Sequence, residues 1–171
     1  MAGFLPETTK QAVADVGLGI RIDRTDLATV VWAAGPVSLF TISGGQIMMT
    51  MLRQEVTVDA VGAQAGTIVY AITTAAPYAV ATVDFSAACG SVSGVAVGST
   101  VTVVGTALAT AALLQITIGP QLIAKAANII LTPGIVNNRN TGAAVTGTAT
   151  CAIVTSMWYY PLEPGATVVA S

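Results

Sequence analysis

Between Val37 and Val58 the chain reads VSLFTISGGQIMMTMLRQEVTV, two β-prone runs on either side of Ser43-Gly44-Gly45-Gln46. A Gly-Gly pair between such runs is a strong short-range signal for a two-residue hairpin. Closing the turn at Gly44-Gly45 would pair Ile42 with Ile47 and Phe40 with Met49 on one face. Thr41 with Met48 and Leu39 with Thr50 would fall on the other, because side chains alternate along a strand. Near the turn both faces are apolar. Farther along, Arg53, Glu55, Thr57 and Asp59 alternate with Gln54, Val56 and Val58, so one face becomes wet. Strands covered on both sides at one end and on one side at the other belong to a sheet pressed against a second layer or a neighbouring subunit.

The rest of the chain repeats this grammar. Leu27–Ala33 is a strand candidate ended by Gly35-Pro36. Thr67–Thr73 alternates Ile68, Tyr70 and Ile72 with Val69 and Ala71, and Tyr78–Phe85 reads as a further strand. The longest is Ala144–Tyr160. There Val145, Ala149, Cys151, Ile153, Met157 and Tyr159 share one face, while Thr146, Thr148, Thr150, Ser156 and Trp158 share the other. Pro161-Leu162-Glu163-Pro164-Gly165 closes it. Short strands separated by turns about every ten residues predict an all-β antiparallel sandwich or jelly-roll-like barrel rather than a βαβ fold. We read residues 1–19 as an extended N-terminal arm and 20–171 as one β domain. Two segments are expected outside the strands: the charge-rich Arg21–Asp26, as a solvated turn with local ion pairs, and Asn137–Gly142, as a loop of turn-forming residues. Gln121–Leu131 is compatible with a strand pair or a short helix.

Composition bears on function mainly by exclusion. Of 171 residues, 54% are hydrophobic and 8% charged, with 6 basic and 8 acidic residues and no histidine. So few charges cover a monomer's surface thinly. The alternatives are a membrane protein or a subunit that hides surface against partners. No charge occurs from Phe85 through Ala124. Within that stretch Val101–Ile118 is long enough to be weighed as a membrane span. Its recurrent threonines, the interruption at Gly105 and the lack of flanking basic clusters instead favour strand, turn and strand. Scattered basic residues do not supply the clustered charge that nucleic acid demands. Without histidine, and with no GxSxG, GxGxxG or Walker A pattern, neither a catalytic constellation nor a metal or cofactor site is expected. The pair Asp23 and Asp26 is accordingly read as ion-paired rather than metal-binding. Cys89 and Cys151 lack metal-ligand spacing and are read as small buried thiols, a disulfide between them being the alternative. No basic segment followed by an apolar core opens the chain, so no secretory leader is expected and the chain is placed in the cytoplasm where it is made.

Trp158, Tyr159 and Tyr160 put aromatic side chains on both faces at the end of the longest strand. Pro161 should end that strand at a rim. Interfaces are rich in tryptophan and tyrosine. These three, with Phe40, Met49 and Met51, are the candidate interface of a homo-oligomer, probed by Trp158→Ala.

Two blocks of sequence resemble a family. Leu39–Ile68, LFTISGGQIMMTMLRQEVTVDAVGAQAGTI, is similar to an LFT…GG…L-x-x-E-V block of small structural proteins encoded near the capsid genes of tailed bacteriophages. Leu131-Thr132-Pro133-Gly134-Ile135, then Asn140-Thr141-Gly142, Trp158-Tyr159-Tyr160-Pro161-Leu162 and Gly165-Ala166, resembles the family's PGTI…NTG…W…Y…PL…GA ending. Here Trp158 directly precedes the two tyrosines, whereas in the family pattern it stands several residues earlier. The resemblance implies a virion subunit without enzymatic activity. Its expected role is that of a decoration (cement) protein on the capsid exterior, partnered by the major capsid protein and by itself as a trimer. The alternatives are a tail or head-fibre component, or a small membrane protein of the lysis type built on Val101–Ile118.

Overall fold

The computed structural model describes residues 19–27, 32, 35–58, 66–89, 91–92, 95–103, 113–115, 129–141 and 152–171. Among them there is no helix. The expected arm falls outside the described residues except for Gly19, as does Cys151. Eleven strands follow one another: β1 (Ile20–Leu27), β2 (Gly35–Ser43), β3 (Ile47–Val56), β4 (Ile68–Thr74), β5 (Thr82–Asp84), β6 (Thr100–Thr102), β7 (Leu113–Gln115), β8 (Ile129–Leu131), β9 (Gly134–Asn140), β10 (Ala152–Pro161) and β11 (Thr167–Ala170).

They form two antiparallel sheets. Sheet A has the order β1-β10-β3-β6-β7, with β8 also paired to β3; sheet B has the order β11-β2-β9-β4-β5. The chain changes sheet at β1–β2, β2–β3 and β3–β4. The order 1-10-3-6 facing 2-9-4-5 is that of a jelly roll, two interleaved Greek keys, with β11 added beside β2. Between the sheets lies one apolar core that includes Phe40, Ile42, Ile47, Met49, Leu52, Ile68, Tyr70, Ile72, Val136, Ile153, Met157 and Tyr159.

The hairpin expected at Gly44-Gly45 does not form. The turn is where expected, but β2 and β3 enter different sheets: β2 pairs with β9 and β11, and β3 with β10, β6 and β8. Phe40 and Met49 both point inward, but toward each other's sheet instead of lying side by side in one. An apolar strand face is equally satisfied by a neighbour across the ~10 Å between sheets, so alternation alone could not distinguish the two. Gly44 makes the turn possible. Its φ is +75°, and a Cβ there would fall on the Gly165 carbonyl of the β10–β11 turn.

Two bulges explain burial that strict alternation forbids. On β2, Ser38 pairs with Asn137 and Phe40 with Val136, leaving Leu39 extra, and both Leu39 and Phe40 are fully buried. On β3, Met51 pairs with Trp158 and Met49 with Tyr159, leaving Thr50 extra; its hydroxyl donates to the Trp158 carbonyl at 3.3 Å. Beyond that point the inward set on β3 becomes Leu52, Gln54 and Val56. One added residue re-phases a strand, which is what a bulge does.

Two segments expected outside the strands lie inside the sheets. Arg21–Asp26 belongs to β1, an edge strand that tolerates charge because one side of its ladder is open. The expected ion pairs are present along it, Arg21 with Asp23 and Arg24 with Asp26. Arg24 turns inward, and its guanidinium donates to the carbonyls of Ser38 and Leu39 at the β2 bulge, tying the two sheets together. The polar Asn137–Asn140 run belongs to β9, the middle strand of sheet B. Ladders to β2 and β4 on both sides outweigh its turn propensity. Asn137 Nδ2 donates to Thr73 Oγ1 and the Ile135 carbonyl, both at 3.0 Å, and Asn140 Nδ2 donates to the Trp32 carbonyl at 3.2 Å.

Of the other strand expectations, Thr67–Thr73 is realised as β4. Tyr78–Phe85 shrinks to the three residues of β5. Of the strand placed at Leu27–Ala33 only Leu27, the last residue of β1, and the buried Trp32 are described; the others lie outside the described residues. Val101–Ile118 carries β6 and β7, paired antiparallel with Thr100 opposite Gln115, so its described parts are the strands of that reading and not a membrane helix. No helix among the described residues is long and apolar enough to cross a membrane. On β10, Ile153, Met157 and Tyr159 face inward as the alternation predicts, joined by Thr155.

Candidate interaction surface

The six residues expected at an interface are placed by the strands just described. Phe40 and Met49 are fully buried between the sheets, and Tyr159 joins them at 6% exposure. They are core residues, with no surface to offer a partner. Trp158 and Met51 sit opposite each other on the outer face of sheet A, in register with Arg21 of β1. They too are buried by this chain, at 7% and 2% exposure, with the Arg21 guanidinium 5.1 Å from the Trp158 ring centre. That guanidinium is itself oriented by Asp23 at 2.8 Å and reaches Ser156 Oγ at 3.4 Å. Tyr160 alone of the six is half-exposed. The aromatic cluster stiffens the end of β10 and is not a free patch.

Part of the exposed apolar surface lies on sheet B, beside exposed Ile20, Leu27 and Ile130 on sheet A and Val80 in a loop. Strand registers place Val169, Thr41, Ile135, Thr73 and Thr82 in one row across β11, β2, β9, β4 and β5. Val169 is 53% and Ile135 37% exposed. Around them hydroxyls bond to one another instead of to charges: Thr41 to Ser171 at 2.6 Å, Ser43 to Thr167 at 3.0 Å, and Thr73 to Thr82 at 2.9 Å. A five-strand row with no ionic side chain is unusual for a solvent-facing sheet, where charged residues normally keep the face soluble. The sequence carried a trace of it in the alternating Thr41 and Ser43, but the partner strands that complete the row were not legible.

Among the described residues the charges are largely paired within the chain. Arg21–Asp23, Arg24–Asp26, Arg53–Glu55 and Arg139–Asp84 form four ion pairs. Among the described residues no three metal-ligating side chains gather. The two perturbed groups are internal. Burial pushes the Tyr70 phenol well above its ordinary range, and burial likewise raises the Cys89 thiol. The buried Cys89 sulfur accepts from the Ile68 N–H at 3.3 Å.

Fold and surface together define an all-β, two-sheet antiparallel sandwich with a charge-poor sheet face. No family model, curated protein or solved structure matches the chain.

Proposed function

We propose that this chain is a virion structural protein, a decoration (cement) subunit that binds the outer surface of a tailed-phage capsid. The observation that carries the proposal is the uncharged row Val169–Thr41–Ile135–Thr73–Thr82, suited to lie against another protein. The resemblance of Leu39–Ile68 and of the Leu131–Ala166 segments to capsid-associated proteins supplies the setting. Jelly rolls recur among viral capsid domains, which agrees with the proposal by analogy of fold only. Self-association as a trimer and contact with the major capsid protein belong to the same proposal. A row of valine, isoleucine and threonines without charge invites burial, and obligate interfaces commonly bury more than about 2,000 Å².

The test is co-sedimentation of the purified chain with expanded and unexpanded capsids lacking it, beside sedimentation of the chain alone. Saturable binding to one capsid form is expected, together with a defined oligomer. Ile135→Lys should abolish one or both while the protein stays folded. Trp158→Ala should lower thermal stability and leave association of the folded fraction unchanged, since Trp158 is buried within its own chain. A stable monomer at micromolar concentration that binds no capsid form would refute the proposal.

A further inference from the structure

Three turns meet at one end of the sandwich. They are Ser43–Gln46 between β2 and β3, the Ala75–Tyr78 loop after β4, and Leu162–Gly165 between β10 and β11. The first and last are tied by the Leu162 N–H donating to the Gln46 carbonyl at 2.9 Å. Between them lies a cleft of about 400 Å³ lined by Ile42, Ser43, Tyr78, Pro133 and Glu163 together with the Gly44-Gly45 backbone. Tyr78 is 37% exposed there, and its hydroxyl accepts from Gln46 Nε2 at 3.4 Å.

The carboxylate of Glu163 is set apart electrically. Among the described residues it is the one charged side chain outside the four ion pairs, and it has no hydrogen-bonding partner. It is also positioned. A Cβ on Gly45 would come within 2.7 Å of both Glu163 Cβ and Oε2, so the absence of a side chain there gives the carboxylate its place over the turn. No basic residue lines the cleft. An anion would meet a solvent-exposed carboxylate and no cationic side chain among the lining residues. A planar cation meets a carboxylate it can grip through two N–H groups and an aromatic ring it can stack on.

We propose that this cleft binds an arginine side chain of a partner protein, with Glu163 pairing the guanidinium and Tyr78 stacking against it. The proposal stands on the cleft alone and is independent of the virion reading: any protein presenting a suitably placed arginine would fit.

The probe is N-acetyl-arginine methylamide, titrated into the full chain while the amide resonances of Gly44, Gly45, Tyr78 and Gly165 are followed by NMR. The lysine analogue, the uncharged citrulline analogue and methyl β-D-glucoside serve as comparisons. Saturable shifts confined to the cleft are expected at millimolar arginine, weaker for lysine, lost for citrulline and glucoside, and reduced by added salt. An exposed ion pair and a cation–π contact are each modest, so E163Q and Tyr78→Leu should each weaken binding roughly two- to fivefold. Both replace exposed side chains, and unchanged melting temperatures would show that the fold survives. If either variant unfolds, the salt dependence and the arginine–citrulline difference on the native chain still decide. Arginine shifts that never saturate, citrulline or glucoside binding as well as arginine, lysine binding tighter, or full retention in E163Q would each overturn the assignment.

Discussion

Replacing Gln54 tests whether the core depends on one buried polar relay. Gln54 is 1% exposed on the inward face of β3. Its Oε1 accepts from Trp32 Nε1 at 3.0 Å, and its Nε2 donates to Thr155 Oγ1 at 3.3 Å. Trp32 in turn accepts from Asn140 of sheet B, so the relay runs from sheet A through a buried turn to the facing sheet. Gln54→Leu keeps the volume and leaves the indole N–H without an acceptor in the core. An orphaned buried donor costs about 1–3 kcal/mol, and losing the Thr155 bond adds about 0.5–1.5 kcal/mol. For a domain of this size each kcal/mol lowers the melting temperature by roughly 2–4 °C, so a fall of about 3–18 °C is expected. Trp32→Phe alone also destabilises, by opening a cavity, so the decisive measurement is the double-mutant cycle. With both partners apolar the orphan vanishes, and Gln54→Leu should cost about 1–3 kcal/mol less in the Trp32→Phe background. Urea unfolding followed by far-UV circular dichroism, at one fixed protein concentration, supplies the four free energies. Additivity within about 0.5 kcal/mol would refute the relay as a coupled unit.

Two glycines with similar φ separate strain from collision. Gly44→Ala places a Cβ on the Gly165 carbonyl and should cost well over 2 kcal/mol, whereas Gly98→Ala, at φ +84° with nothing within 4 Å, should cost only the left-handed penalty of about 1–2 kcal/mol; equal losses in calorimetry would contradict the close approach. The Tyr70 hydroxyl is buried without a partner, so Tyr70→Phe should be neutral or stabilising by about 1 kcal/mol, and urea midpoints showing a large loss would reveal a bond to it. Because Tyr70 and Cys89 both hold their protons more tightly folded than unfolded, stability should be full below their ordinary values of 10.0 and 9.0 and fall as pH rises beyond them. Each group contributes a slope of up to about 1.4 kcal/mol per pH unit. The Tyr70→Phe, Cys89→Ala double variant should flatten that decline, and an unaltered pH profile would remove these residues as its source.

The sequence alone determined that the chain would be built of strands and where several would turn. Period-two alternation needs no partner to be read, so β4 and the inward set Ile153, Met157 and Tyr159 were legible, as were the Gly44-Gly45 turn and the pairing of charges along Arg21–Asp26. Which strand lies beside which was not, because an apolar face does not record whether its neighbour is lateral or opposite. Tertiary structure therefore decided that Phe40 and Met49 meet across the core. It also decided that the asparagines of β9 lie between two ladders, and that the added Leu39 and Thr50 shift the phase of their strands. The surface followed the same division. Scarcity of charge was visible in the composition, and with it the expectation of association. Of the aromatics expected to carry it, Phe40 and Tyr159 lie in the core, Trp158 is buried on the outer face of sheet A and Tyr160 is half-exposed. Both the uncharged row on sheet B and the cleft at Glu163 join residues from strands or turns far apart in sequence, so neither exists until the two Greek keys close.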